Sequence, residues 1–293
     1  MRPTSESPGR SISAPSAASP IISLEDAMRV LEETSRTFHI PIVRLPDRLR
    51  EAVASAYLCL RAIDEVEDHP RLDNSAKSGL LRRISLLLQV QRSVGTFDHE
   101  GFSTEVAGYH DDLPEVTRRV GEWACLAPDS IAPRIWDATA AMADRMAHWA
   151  ADGWRVITEA DLDRYTFGVA GAVGLMLSDL WAWHDGTQTD RMHAIGFGRG
   201  LQAVNILRNR AEDLAHGKDF FPRHWREADV QVYARRNLSL ADDYARSLPS
   251  GPALNFCKLP LTLAHRTLDA LERGQAKLSR DEVFQIMREV GYL

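Results

Sequence analysis

Cysteine is scarce in this chain and is not arranged for chemistry. Cys59, Cys125 and Cys257 stand far apart within apolar runs, which leaves neither a disulfide framework nor the close spacing of a zinc site. They read as free, mostly buried thiols in a reducing, cytoplasmic compartment. The ten histidines form no HExxH pair. Positive charge is not in excess either: 35 Lys and Arg against 41 Asp and Glu leave a net charge of -6. Such a balance excludes a global attraction to nucleic acid or to an anionic membrane surface, so an anionic ligand would have to be held by local positive charge or by metal. No apolar run approaches the roughly 20 residues of a membrane-spanning helix, and no stable membrane anchor is expected. The opening "MRPTSESPGRSISAPSAASP" has no apolar stretch of a secretory signal; its Ser, Pro and Ala content points to a disordered tail over residues 1–20. Alternating β-type runs are few. "GFGRG" at Gly196 to Gly200 follows no strand, so it is no phosphate loop by itself.

Apolar residues recurring at three and four, with 44% hydrophobic content over 293 residues, give an all-α chain able to bury a sizeable core. "LEDAMRVLEETSRTF" is a first helix capped by Ser23. A second runs from Asp47 to Asp68 and stops before His69-Pro70, because the residue before proline is pushed out of helical geometry. A third starts at Asn74 or Ser75, and a long one spans about Leu113 to Ala150, interrupted near "APDSIAP". Thr158 and Asp161 form a capping-box pattern before the helix "EADLDRYTFGVAGAVGLMLSDLWAWH". Another helix covers Asp190 to Leu214, followed by "ADVQVYARR", "LSLADDYARSL", "PALNFCKLPLTLAHRTLDAL" and "SRDEVFQIMREVGY". With no fixed repeat and no composition break, residues 21–293 read as one domain, a helical bundle around a central cavity.

Two helix faces carry the chemistry. In "YLCLRAIDEVED" the residues Tyr57, Arg61, Asp64 and Asp68 are four, three and four apart, and so share one stripe, with Glu67 beside Asp64. Taken alone, an acidic run on a helix is usually a solvated face. This one sits among apolar neighbours, where the carboxylates raise one another's proton affinity unless a cation compensates. The second stripe is Gln202, Asn205, Asn209 and Asp213, with Arg208 adjacent. All the ligating atoms are hard oxygens, which favours Mg²⁺, an ion commonly shared between a few side chains and substrate phosphate. Facing stripes would hold a diphosphate through bridging ions, with Arg36, Arg61, Arg208 and Lys218 as direct phosphate contacts.

These motifs resemble the squalene and phytoene synthase family. "SRTF" from Ser35 to Phe38 is similar to that family's phosphate-binding "SRSF", and "YLCLRAIDEVED" to its first aspartate-rich motif. "DLDRYTFGVAGAVGLMLSDLW", "LQAVNILRNRAEDLAHGKDFFP" and "NFCKLPLTLAHRTL" match three further motifs in order. The resemblance implies an isoprenoid synthase fold, Mg²⁺ and a prenyl diphosphate substrate. Carried over by position, it makes Asp64, Glu67 and Asp68 one metal site and Asn205 and Asp213 the other. It makes Ser35, Arg36, Phe38, Arg61 and Arg208 part of the diphosphate site, and Tyr57 and Tyr165 the tyrosines near the reacting carbons. Tyr165 is equally open to a core role. Gly168, Gly171 and Gly174 either open a groove for a prenyl chain or serve close helix packing.

Two positions depart from the family pattern. Asn209 stands where the family has an aspartate, and Lys218 where it has an arginine. A carboxamide brings no charge, and lysine cannot make a bidentate fork. The remaining Asn205-x3-Asn209-x3-Asp213 has the spacing of the metal triad of cyclases that ionise one diphosphate. The expectation is a site retuned for one donor, as in squalene-synthase-like carbazole prenyltransferases of secondary metabolism, with a small electron-rich aromatic acceptor. The alternatives are head-to-head condensation of two farnesyl diphosphates, with NADPH only for a reductive last step, and cyclisation of one. The chain shows no C-terminal membrane helix, in keeping with a small soluble enzyme.

Overall fold

The computed structural model describes residues 23–94, 97–109 and 112–293, without the side chains of Arg36 and residues 91–94. The tail expected over residues 1–20 lies outside the described residues. All regular structure among the described residues is helical. The elements are α1 (Leu24–Thr34), α2 (Arg36–Val43), α3 (Asp47–Asp68), α4 (Asn74–Val94), α5 (His99–Ala107), α6 (Glu115–Arg118) and α7 (Val120–Cys125). They continue with α8 (Ala132–Ala151), α9 (Glu159–Thr166), a π-helical segment (Phe167–Gly171), α10 (Ala172–Asp185) and α11 (Arg191–Ala215). The last three are α12 (Glu227–Ser247), α13 (Pro252–Glu272) and α14 (Arg280–Glu289).

Local signals explain most boundaries. Ser23 caps α1 by accepting from Asp26 N–H at 3.1 Å. The expected helix over 24–38 breaks at Ser35, whose backbone is extended and whose hydroxyl accepts from Phe38 N–H at 3.3 Å, so that Ser35 starts α2. The span of α3 is the expected one, ended by His69-Pro70. The cap of α4 is Asp73, which accepts from Ala76 N–H at 2.8 Å, and neither Asn74 nor Ser75 takes that role. The span from 113 to 150 is three helices, and α5 ahead of them was not anticipated. The capping box of Thr158 and Asp161 is present. What reads as two helices over 227–247 is the single helix α12: Asn237, the polar residue at the apparent break, is buried and donates to Tyr233 O at 2.9 Å within the helix.

The centre of the molecule is built on α3, whose side chains from Leu49 to Val66 are largely buried. It packs against α1, α2, α4, α6, α7, α8 and α10, while α11 lies along α12, α10 and the π-helical segment. Glycines set the approach of α11. A Cβ on Gly174 would fall 2.1 Å from Ala194 O, and one on Gly198 2.1 Å from Ala170 O. Close packing is therefore the role of Gly174; Gly171 is also tight, and Gly168 is not. The continuous helix Glu159–Asp185 is long and apolar enough to cross a membrane, which corrects the reading that no such run exists. Its Leu162, Tyr165, Leu180 and Trp181 are buried inside the bundle, as befits a core helix.

Candidate active site

The two stripes face one cavity. Asp64, Glu67 and Asp68 of α3 line it together with Gln202, Asn205, Asn209 and Asp213 of α11, and Tyr165 and Lys218 complete the wall. This polar cavity of about 180 Å³ opens onto an apolar chamber of about 410 Å³. Arg61, Asp64, Gln202 and Asn205 line both. Ser35, Phe38 and Tyr57 line the chamber, as do Gly174 and Gly198 at the tight helix contact. A third space, of about 230 Å³, lies across Phe38, Leu201, Asn205 and Arg208, and reaches Lys277, Leu278 and Val283 beyond α13.

Burial sets the electrostatics of the polar end. Glu67 is pushed up to about 7 by loss of solvent, against the pull of Lys218. Asp64 is raised well above the usual carboxylate range by burial and then by Glu67, while the Arg61 charge opposes the shift. Asp213 is raised by burial as well. These are carboxylates in need of positive charge. Some of it is already in place. The Lys218 ammonium lies 3.2 Å from Glu67 Oε1 and 3.6 Å from Asp68 Oδ1. Lys77 donates to the backbone carbonyl of Glu67 at 2.5 Å, a cation on the last turn of α3 where the helix dipole is negative. Arg61 pairs with Glu65 one turn along, and its Nε is buried with no partner among the described residues.

Magnesium suits this donor set. Among the described residues no three His, Cys, Asp or Glu side chains converge as a closed protein site. An ion that keeps waters and takes one or two carboxylates plus phosphate oxygens does not need one. Buried carboxylates with raised proton affinity on one helix, opposite neutral and acidic oxygens on another, fit such an ion.

The remaining expected residues fall as follows. Arg208 lines the chamber and the third space, and its Nε donates to Asn209 Oδ1 at 3.1 Å. Asn209 is therefore engaged by the arginine next to it. Lys218, expected to meet phosphate, lies against the α3 carboxylates. Tyr57 has its ring 5.7 Å from that of Phe38, and burial raises its hydroxyl's proton affinity. Tyr165 is buried, stacked on Phe220 with ring centroids 4.4 Å apart, yet it also lines the polar cavity; core and site roles coincide. Burial and the charges of Glu67 and Asp213 hold its phenol well above its ordinary value. The side chain of Arg36 lies outside the described residues. Sequence reasoning missed Glu65, Lys77, Trp154 and Phe220. Glu65, inside "YLCLRAIDEVED", and Phe220, inside "GKDFFP", stood in motifs already singled out.

Known proteins bear on this geometry. A family model described as squalene/phytoene synthase matches residues 31–237, well over half of the chain. The chain belongs to the squalene/phytoene synthase family. Squalene synthase of Schizosaccharomyces pombe is 29% identical over 300 residues, an alignment covering 88% of this chain and 63% of that protein. That of Eremothecium gossypii is 30% identical over 297 residues, covering 89% and 64%. Squalene synthase ERG9 of Candida albicans is 33% identical over 229 residues, covering 75% and 48%. This family member thus spans less than two thirds of the length of each. Among solved structures, TcSQS in complex with the ligand BPH1237 superposes with a TM-score of 0.69 at 22% identity, covering 91% of this chain and 86% of that one. A dehydrosqualene synthase in complex with ligand gives 0.64 at 18%, covering 91% and 94%. At these identities the superpositions speak for the fold, which is that of the squalene synthases. None of these relatives is named for aromatic prenylation.

Proposed function

We propose that this protein is a magnesium-dependent prenyltransferase that ionises an allylic prenyl diphosphate at the polar cavity and joins it head to head with a second prenyl diphosphate in the chamber. The observation that carries the reading is the junction itself: Arg61, Asp64, Gln202 and Asn205 belong to both the charged cavity and the apolar chamber. A diphosphate seated on these residues has its prenyl chain directed into a space that excludes water. Squalene synthases among the relatives support two prenyl donors, as does the third space across Phe38 and Leu201.

Asp64, Asp68, Asn205 and Asp213 would hold magnesium, which when bound supplies positive charge to the departing diphosphate. The chain's own cations do the rest of the binding. Arg61 and Arg208 stand at the chamber mouth to orient phosphate oxygens, and Lys218 offers an ammonium fixed by Glu67 and Asp68. Tyr57 and Tyr165 are held protonated by burial, so each presents a hydroxyl dipole to a developing carbocation and neither serves as a resting base. The released diphosphate is left as the base for a proton lost from the product.

A second reading keeps one donor and places an electron-rich aromatic ring in the chamber. It is favoured by the two departures from the family pattern, both of which are taken up internally: Asn209 by Arg208, and Lys218 by Glu67 and Asp68. Product analysis separates the readings. The purified protein is incubated with Mg²⁺ and dimethylallyl, geranyl or farnesyl diphosphate, each with and without indoles, carbazoles and phenols. Presqualene diphosphate or dehydrosqualene from farnesyl diphosphate alone, or squalene once NADPH is added, establishes the first. A prenylated ring, with diphosphate release only when the aromatic is present, overturns it in favour of the second. In that case Asn209→Asp is expected to create head-to-head product.

A further inference from the structure

Helices α8 and α11 end in the same way. After α8, Gly153 N–H donates to Ala150 O at 3.2 Å and Trp154 N–H to Trp149 O at 2.9 Å. After α11, Gly217 N–H donates to Leu214 O at 3.0 Å and Lys218 N–H to Asp213 O at 2.9 Å. These are the paired bonds of a Schellman cap, with a left-handed glycine at φ 70° and 75° and the next residue turned back along the helix. The two turned-back residues meet: the Lys218 ammonium lies 4.7 Å from the centroid of the Trp154 ring. A backbone hydrogen bond of 2.8 Å from Arg223 N–H to Ile157 O ties the two following loops together.

The conformation of Trp154 is not an easy one. Its φ is +56°, a region that a bulky L-residue occupies only when its surroundings enforce it. Its indole N–H is also buried with no hydrogen-bond partner among the described residues. What this arrangement secures is a flat ring face under a cation, an attraction that grows as water is excluded. The same cation is paired at 3.2 Å with Glu67, whose side chain is only 10% exposed and whose backbone carbonyl is held by Lys77. Glu67 is thus committed on both its side chain and its main chain and is the nearer partner of the ammonium, at 3.2 Å against 3.6 Å for Asp68, whereas Asp64 and Asp68 keep the one-turn spacing that suits a shared ion.

We propose that Trp154 is a positioning residue for Lys218, and that Glu67 is the anchor of that ammonium and not a ligand of magnesium. The α3 face then carries a cation of the protein's own, permanently seated, to meet the diphosphate. The inference rests on the diphosphate-binding reading of the site.

The test is calorimetric titration of inorganic diphosphate in MgCl₂, which needs no turnover. Trp154→Leu is expected to weaken binding about five- to tenfold, and Trp154→Phe to restore most of it. In a Lys218→Met background, adding Trp154→Leu should change the affinity by less than about twofold, because the residue it acts through is gone. Equal losses in the two backgrounds overturn the positioning role, whatever damage to folding contributes. For the anchor, Glu67→Gln should leave the Mg²⁺ concentration that half-saturates diphosphate binding within about twofold, while Asp64→Asn and Asp68→Asn raise it about tenfold or more. A rise for Glu67→Gln equal to theirs overturns that assignment. A wild-type protein that binds no diphosphate overturns the active-site reading as well; additive losses on one that does bind it sink this inference alone.

Discussion

Gly174→Ala tests whether the chamber depends on the contact between α10 and α11. The added Cβ would lie 2.1 Å from Ala194 O, where real contacts stay beyond 3.0 Å. The obstacle is backbone in the first turn of α11, so the two helices have to part by roughly 1 Å, in a core packed densely enough to transmit the shift. Overpacking of this kind costs about 3 kcal/mol at the upper end of its usual range. The gain in helix propensity from glycine to alanine returns up to about 1 kcal/mol. The net loss is about 2 kcal/mol, or a fall of about 3 °C in the unfolding midpoint for a chain of this length. Because α11 carries Asn205 and Asp213, a displacement of that size is also expected to lower kcat by on the order of 100-fold. Gly168→Ala is the control. Its Cβ would stand 3.4 Å from the flexible Arg145 chain, so only the propensity gain should remain. Differential scanning calorimetry of both variants, with turnover measured on the same samples, decides the matter. An unchanged or raised midpoint for Gly174→Ala would refute the packing argument.

Asp64→Asn removes a buried charge that its surroundings disfavour, so it is expected to leave the unfolding midpoint unchanged or higher while abolishing turnover. A lower midpoint would contradict the account of the polar cavity. Asp179 concerns acid stability. Burial raises its proton affinity, but hydrogen bonds from Arg191 and Arg134 outweigh that and hold it below the ordinary value. A carboxylate depressed in the folded state contributes stability above its unfolded pKa of about 3.9 and loses it as the pH falls through the folded value. Wild type should therefore exceed Asp179→Asn by about 1 kcal/mol near neutrality. The gap should close on acidification below about pH 4, and an urea-unfolding series across that range that shows a constant gap rejects the assignment.

What the sequence made legible was what depends on spacing along one helix. The α3 stripe could be placed to its last residue because His69-Pro70 ends the helix, and Ser23 and Thr158 announced their caps through side chains of the right chemistry. The α11 stripe and its family resemblance were legible for the same reason. Illegible were the features decided by how the chain turns back or by what a neighbouring helix supplies. The meeting of Trp154 and Lys218 depends on two glycine caps 64 positions apart in sequence. That Arg208 takes up Asn209 is a rotamer choice, and no pattern of residue types encodes it. The continuity of α12 was illegible for the same reason: Asn237, between the two quoted segments, is a buried amide, and the structure answers the cost of burying it with one bond inside its own helix. Of the glycines whose two readings spacing alone left equal, Gly171 and Gly174 pack closely against α11, Gly174 also lines the chamber, and Gly168 meets only Arg145.

The π-helical segment bears on how this chain can change in length. In a straight α-helix each step of four residues overshoots a full turn by about 40°. Tyr165, Val169, Val173 and Leu177, each four apart, would wind about 120° around the helix over that distance. The wider turn at Phe167–Gly171 takes back part of that drift, so Tyr165 and Val169 reach the polar cavity while Val169, Val173 and Leu177 line the chamber. Phase along this wall is thus stored as a residue count. The wide turn at 167–171 would absorb the loss of one residue by closing to an α-turn. Excising one from the α-turns that follow, between 172 and 177, would leave composition and hydropathy almost untouched and yet turn everything downstream by about 100°. The chamber would then be offered a different set of side chains. Substitutions there are a matter of size, but a single deletion is a frame shift in three dimensions.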